Sequence, residues 1–285
     1  MSKTFQKESC TDFNDFDKKC KTLLQKAGDK GVWIFRGQQS AKWKLETNFE
    51  RACARFGVVG SKRVKLEYNM IREFQRRLHQ YMANEPDSDK YDEWMALMQH
   101  HGAPTRLLDF TYSPYVAAYF AFEKADLDSE VAIWAVNTRF LEEQLGNRDR
   151  DLAEKYKSYR EKRQEAKYFS SIFPVGKGKK RYRLVLAINP FRLNERLAYQ
   201  RGVFLCTGHI TVRFMKNLSD FIGNEKLDEK VIQYTIPTGR NNQNTKEALN
   251  HLDLMNINRI TLFPGLDGFA QSFSPRIPSL FEHQG

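Results

Sequence analysis

The most constraining stretch is QHHGAPTRLLDFTYSPYVAAYFAF, residues 99–122. It opens on adjacent histidines and passes a Gly-Ala-Pro break, an Arg, an Asp and a Thr-x-Ser pair. It then runs into residues 115–122, all apolar or aromatic. Pro114 suits the first position of a helix, where its missing N–H would be unpaired anyway. A helix with almost no polar face must be buried. Polar and ionisable groups crowded at the entry of a buried helix are costly unless they pair with one another or line a cleft. The stretch therefore predicts a cleft beside a buried helix.

Composition narrows the class. The 285 residues suffice for a sizeable core, and an apolar content of 41% describes a globular chain. No run approaches a membrane span, and the polar MSKTFQKESC start is unlike a secretory signal, so a cytoplasmic protein without membrane contact is expected. Cys10, Cys20, Cys53 and Cys206 show neither CxxC pairing nor close spacing, which predicts reduced thiols and no metal site. The net charge of +11 sets up a field that attracts polyanions, nucleic acid before membrane.

Periodicity and breakers divide the chain further. A weak helical stripe covers 12–26, and Val32–Phe35 reads as a buried strand ending in Arg36-Gly37-Gln38. An Arg there projects into a cleft or pairs with a carboxylate at a core edge. Val64–Tyr81 has clean helical spacing, with Arg72, Arg76 and Arg77 on a face that is phosphate-binding or simply solvated. Asp92 is expected to cap a helix over 93–100. Strands follow at 130–136, 183–188, 202–206 and 231–236, with helices at 193–200 and 241–255. The charged region 140–181 reads as a helical insertion ending in a basic loop with Lys177, Lys179, Lys180 and Arg181. Arg106 and Asp109, three apart, are expected to pair with each other.

No GxxxxGK[ST], GxGxxG, HExxH or GxSxG occurs, which removes the P-loop, dinucleotide-fold, zincin and hydrolase-elbow readings. Three polar points remain beside buried hydrophobics: Arg36-Gly37, His100 through Ser113, and Gln200-Arg201-Gly202. The segments WIFRGQ, QHHGAPTRLLDFTYSPYVAAYFA, NERLAYQRGVFL and LFPGLDGFA resemble, in order, the signatures of the FRG domain family, named for Phe-Arg-Gly. A more distant likeness is to ADP-ribosyltransferases of the Arg-Ser-Glu type. There a strand Arg meets NAD, a Ser-Thr-Ser strand precedes an Ala/Phe-rich helix, and a later strand supplies Gln/Glu-x-Glu. Here Arg36 matches the first feature, Thr111-Tyr112-Ser113 with the following helix the second, and Gln200 the third. The position of the family's catalytic Glu falls on Gly202.

These resemblances imply an α+β fold with split antiparallel sheets surrounded by helices, an FRG domain over 31–285, and a helical extension over 1–30. They imply NAD as substrate, contacted by Arg36, Gly37, Gln38, Thr111, Tyr112, Ser113, Tyr119 and Phe120. Arg36, Gln200, Asp109, His100 and His101 are the candidate catalytic residues. Asp109 or Glu195 stands in for the missing Glu, and either histidine is a general base or merely sits well at a helix C-terminus. With the charge, the expectation is ADP-ribosyl transfer to RNA or DNA by a toxin or phage-defence effector, with an antitoxin or chaperone protein as a possible partner. The alternatives are a non-catalytic nucleotide- or nucleic-acid-binding module and a nuclease using the histidines and Asp109.

Overall fold

The computed structural model describes residues 5–28, 32–162, 165–190, 195–223 and 230–273. Its centre is a seven-stranded sheet. In chain order the strands are β1 (Gln6–Ser9), β2 (Trp33–Gln38), β3 (Leu107–Thr111), β4 (Glu130–Asn137), β5 (Val185–Ile188), β6 (Gly202–Thr207) and β7 (Val231–Pro237). They lie side by side as β1-β7-β4-β2-β3-β6-β5. Only the β1–β7 pair is parallel. The expected mostly antiparallel α+β architecture is what forms. The two expected sheets are joined into one, but β2 and β3 share a single residue pair, Phe35 opposite Thr111.

β4 shows why the sheet lies in the middle. Val131, Ile133 and Ala135 face one core and Ala132, Trp134 and Val136 the other, so both faces are apolar and both need helices. One side is covered by the helices Phe13–Ala27, Pro114–Phe122 and Gln243–Leu254. The other is covered by helices that include Ser61–Leu78, Tyr91–His100, Arg150–Glu161 and Phe214–Ile222. No helix of the described residues is long and apolar enough to cross a membrane.

Several expectations change. The N-terminal segment is helical over Phe13–Ala27, but its first described residues add an edge strand to β7. β2 continues through Arg36 and Gly37 to Gln38, so Arg36 lies within the strand rather than at its end. The 64–81 helix runs Ser61–Leu78, leaving Tyr81 outside it and exposed. Asp92 is not a cap. It sits in the first turn of Tyr91–His100, fully buried, and accepts from the Tyr159 hydroxyl at 2.8 Å. The charged region is no peripheral appendage: Leu141, Leu145, Leu152, Tyr156 and Tyr159 are buried in the main core. Residues 193 and 194, the expected start of a helix, lie outside the described residues, and the helix described there is Glu195–Tyr199. A helix at Asn48–Arg55, opened by a Thr47/Glu50 capping box, was not anticipated.

Arg106 does not pair with Asp109. Arg106 lies in the bend just before β3 and turns into the core, whereas the Asp109 side chain on β3 is exposed. Arg106 is fully buried and forks onto Glu67 of the Ser61–Leu78 helix, with further bonds to the carbonyls of Thr207 at 3.3 Å and Pro174 at 3.2 Å.

Candidate active site at the sheet seam

Beyond the Phe35–Thr111 pair β2 and β3 part, and the wedge between them opens into a cleft of about 920 Å³. β2 contributes Arg36, Gly37 and Gln38, and β3 contributes Asp109, Phe110 and Thr111. Phe120 reaches it from the buried helix, and Arg196 and Gln200 come from the segment leading into β6. Thus residues near 36, 110 and 200, far apart in the chain, surround one hollow.

Arg36 holds the seam. Its NH1 donates to the Asp109 carbonyl oxygen at 2.7 Å, where ladder bonds would otherwise run, and lies 3.9 Å from the Asp109 carboxylate. Its Nε is buried with no partner among the described residues. Burial pulls the Arg36 pKa down, with Asp109 opposing, yet a guanidinium stays charged at any working pH. The result is a half-buried cation with donor capacity unspent at the edge of a cleft. Asp109 is more exposed, and its Oδ2 accepts from the Gln99 side chain at 2.8 Å.

The remaining charge on the walls is also positive. Lys42, Lys44, Arg51, Arg196 and Arg213 join Arg36, against Glu46, Glu50 and Asp109. Glu50 is already committed, accepting from the backbone N–H of Thr47 at 2.9 Å and of Phe214 at 2.5 Å. Arg196 is stacked on the Phe263 ring at 4.7 Å, which orders a long side chain at the cleft wall. An anionic ligand with aromatic parts matches this lining.

Two glycines serve packing. A Cβ on Gly37 would lie 1.9 Å from the Ala117 carbonyl oxygen, so its bare Cα lets the Pro114–Phe122 helix press onto β2. A Cβ on Gly202 would lie 2.1 Å from Leu197 Cδ1. A side chain at the position expected for a catalytic Glu would have to displace the Leu197 side chain, and glycine itself brings no carboxylate there.

Other anticipated residues have local duties. Ser113 caps the buried helix, its hydroxyl accepting from Val116 N–H at 3.3 Å. The Thr111 hydroxyl donates to the Gln200 carbonyl at 2.7 Å, and the Gln200 side-chain amide donates to Leu262 O at 3.1 Å. The Tyr112 hydroxyl accepts from Asn189, and the Tyr119 hydroxyl donates to Glu123. Phe120 packs edge-on against Phe263, and Gln38 is held by Trp134. Ser113, Tyr112, Tyr119, His100 and His101 do not line the cleft. The arginines at 72, 76 and 77 are exposed on their helix, where Arg76 and Arg77 both pair with Glu73. Lys177, Lys179 and Lys180 are exposed in their loop, and Arg181 bonds back to the Gly176 and Lys179 carbonyls. None of these seven lines the cleft either. Among the described residues no group of three His, Cys, Asp or Glu could hold a metal ion.

The cleft residues that the sequence does not single out include Lys42, Trp43, Lys44, Glu46, Arg51, Arg196 and Arg213. The T-x-x-E capping box at 47–50 was the local signal for the first group, because it starts a helix immediately after the Lys-Trp-Lys segment. Arg196 and Arg213 carry no such signal.

The histidines give a pH prediction. Burial first, then the neighbouring His101 and Arg196, hold the His100 pKa below its usual value; burial, Arg183 and Arg181 do the same for His209. A histidine with a depressed folded-state pKa is neutral in the fold while the unfolded chain takes up the proton first. Stability is therefore lost as pH falls below about 6.5. Urea midpoints at about pH 7.5 and 5.5 should differ less in a His100→Gln/His209→Gln variant than in the wild type. Equal differences would refute the assignment.

No curated protein and no solved structure matches the chain. One family model does match, over residues 31–130, a span that contains Arg36, Gly37, the histidine pair, Asp109 and the buried helix but stops short of Gln200 and Phe263. Over that stretch, which supplies most of the seam, the chain carries an FRG domain.

Proposed function

We propose that the seam cleft binds NAD and that the protein transfers ADP-ribose from it to a nucleic acid, as a toxin or phage-defence effector. The observation that carries this is Arg36, a half-buried guanidinium with an unpartnered Nε, set 3.9 Å from the Asp109 carboxylate in the wall of a cation-rich cleft. Arg36 and the neighbouring cations neutralise the pyrophosphate. Asp109 faces the positive charge that develops on the ribose as its C1′–nitrogen bond breaks and the electron pair departs with nicotinamide. An acceptor oxygen or nitrogen then bonds to C1′, and Asp109 takes up its proton. Electrostatic groups already in place before reaction account for much of such a rate enhancement.

A second reading, nucleotide binding without transfer, is favoured by Gly202, which brings no carboxylate to the position of the catalytic Glu. Incubation with labelled NAD and a mixture of RNA, DNA and protein decides between them. Transfer is expected to nucleic acid and to fall about 10²–10³-fold in Arg36→Ala and in Asp109→Asn. Arg36→Lys, which keeps the charge without the fork, should recover only part of it. NAD binding in the wild type with no label transfer would replace the first reading by the second, and strand cleavage without NAD would replace both.

A further inference from the structure

The segment between β2 and the Asn48–Arg55 helix is pinned from several sides. Ala41 N–H donates to Glu130 O at 2.7 Å, and Gln233 Nε2 donates to Ala41 O at 3.1 Å. Gln38 Nε2 donates to Lys44 O at 3.2 Å, and Gln38 is itself fixed by Trp134 Nε1 at 2.7 Å. Both glutamines are buried, and Leu45 anchors the end of the segment in the core. On this fixed backbone Trp43 is 54% exposed, whereas Trp33, Trp94 and Trp134 are 5%, 2% and 1% exposed. Trp43 lines the cleft between Lys42 and Lys44, which are exposed and line it too.

An indole left in water on a rigid segment, between two cations, adds nothing to the core. It offers a flat aromatic face already in position. We propose that Trp43 is a stacking platform for a base of single-stranded nucleic acid entering the cleft, with Lys42 and Lys44 on the flanking phosphates. Bases show their faces only when unpaired, and stacking on aromatics beside a basic track is how such strands are held. A small ligand would be largely enclosed by its pocket. An open rim suits a polymer that continues out into solvent. The naming of this strand as the acceptor rests on the transfer reading, whereas its binding does not.

Because Trp43 is the exposed tryptophan among the described residues, a base stacked on it quenches its share of the intrinsic fluorescence while the buried tryptophans are unaffected. Titrating the full chain with an oligothymidylate of about twelve nucleotides should quench the emission. Trp43→Phe should abolish most of the quench while a labelled oligomer still binds by anisotropy. Trp43→Ala should weaken binding roughly ten- to a hundredfold. A Lys42→Ala/Lys44→Ala variant should flatten the slope of log K against log salt by about 1.4, two single-strand phosphate contacts. Binding by Trp43→Ala within twofold of wild type, or duplex DNA competing as well as the single strand, would overturn the platform. A parallel calorimetric titration with NAD separates the two ideas. NAD binding without oligomer binding ends the platform and leaves the transfer reading standing, whereas oligomer binding lost in Trp43→Ala supports the platform even if NAD does not bind.

Discussion

Glu67→Gln is expected to lower stability by about 3–5 kcal/mol, the usual consequence of removing one partner of a buried ion pair. Arg106 is fully buried and Glu67 nearly so, and the two meet through a two-pronged contact between the bend preceding β3 and the Ser61–Leu78 helix. Without the carboxylate, a guanidinium is stranded where water cannot reach it. The Thr207 and Pro174 carbonyls that also hold Arg106 solvate only part of its charge. In a chain of this size the loss corresponds to a fall in Tm of about 6–20 °C. Urea unfolding of wild type, Glu67→Gln and the double variant Arg106→Met/Glu67→Leu tests the cause. The double variant should regain much of the loss, because two apolar groups leave no buried charge, but not all of it, because those carbonyls lose their donor. A double variant no better than the single one would show that shape rather than charge is at stake. The pair should also ignore salt that screens the exposed Arg76–Glu73 contact.

Gly37→Ala should cost about 3 kcal/mol, at the upper end for an overpacked core. The added methyl would meet the backbone oxygen of Ala117 and the backbone nitrogen of Ala121, at 1.9 Å and 2.6 Å, and a helix backbone cannot swing aside as a side chain can. The helix must lift from β2, opening the seam. Ligand binding in the cleft should weaken along with stability. Gly146→Ala provides the contrast. That position lies inside the helix Thr138–Arg148 with nothing near the new methyl, so the same change should stabilise by about 0.5–1 kcal/mol. Thermal melts of the two variants should move in opposite directions. A Gly37→Ala protein melting with the wild type would mean that the strand and helix are less closely packed than described.

Gly37 and Arg106 also show where reading the chain succeeds and where it stops. Beside Arg36, the Gly reads from sequence as a place for ligand approach. What approaches is the protein's own helix, and no local pattern distinguishes the two. Arg106 was matched to Asp109 because they are close in sequence. The bend before β3 turns Arg106 inward while Asp109 stays exposed, and the true partner lies on a helix far back in the chain. β1 is a sharper case: Gln-Lys-Glu-Ser has no strand-like alternation, and only pairing with β7 makes it one. Ser113 resembles a ligand-contacting polar group, but a Ser directly before Pro114 also signals a helix cap, the role it has.

By itself the sequence determined the elements whose driving force is local. Val32–Phe35 and 130–136 carry enough consecutive apolar residues to be central strands. The run after Pro114 is too apolar to lie anywhere but inside. Only the tertiary structure decided that β2 and β3 touch at one pair and then separate. It alone placed Trp43, Arg51, Arg196 and Arg213 around the opening, and packed Leu197 against Gly202. Those outcomes depend on contacts between segments tens to hundreds of residues apart, which form because two apolar sheet faces must both be covered, and local patterning does not record which neighbours that brings together.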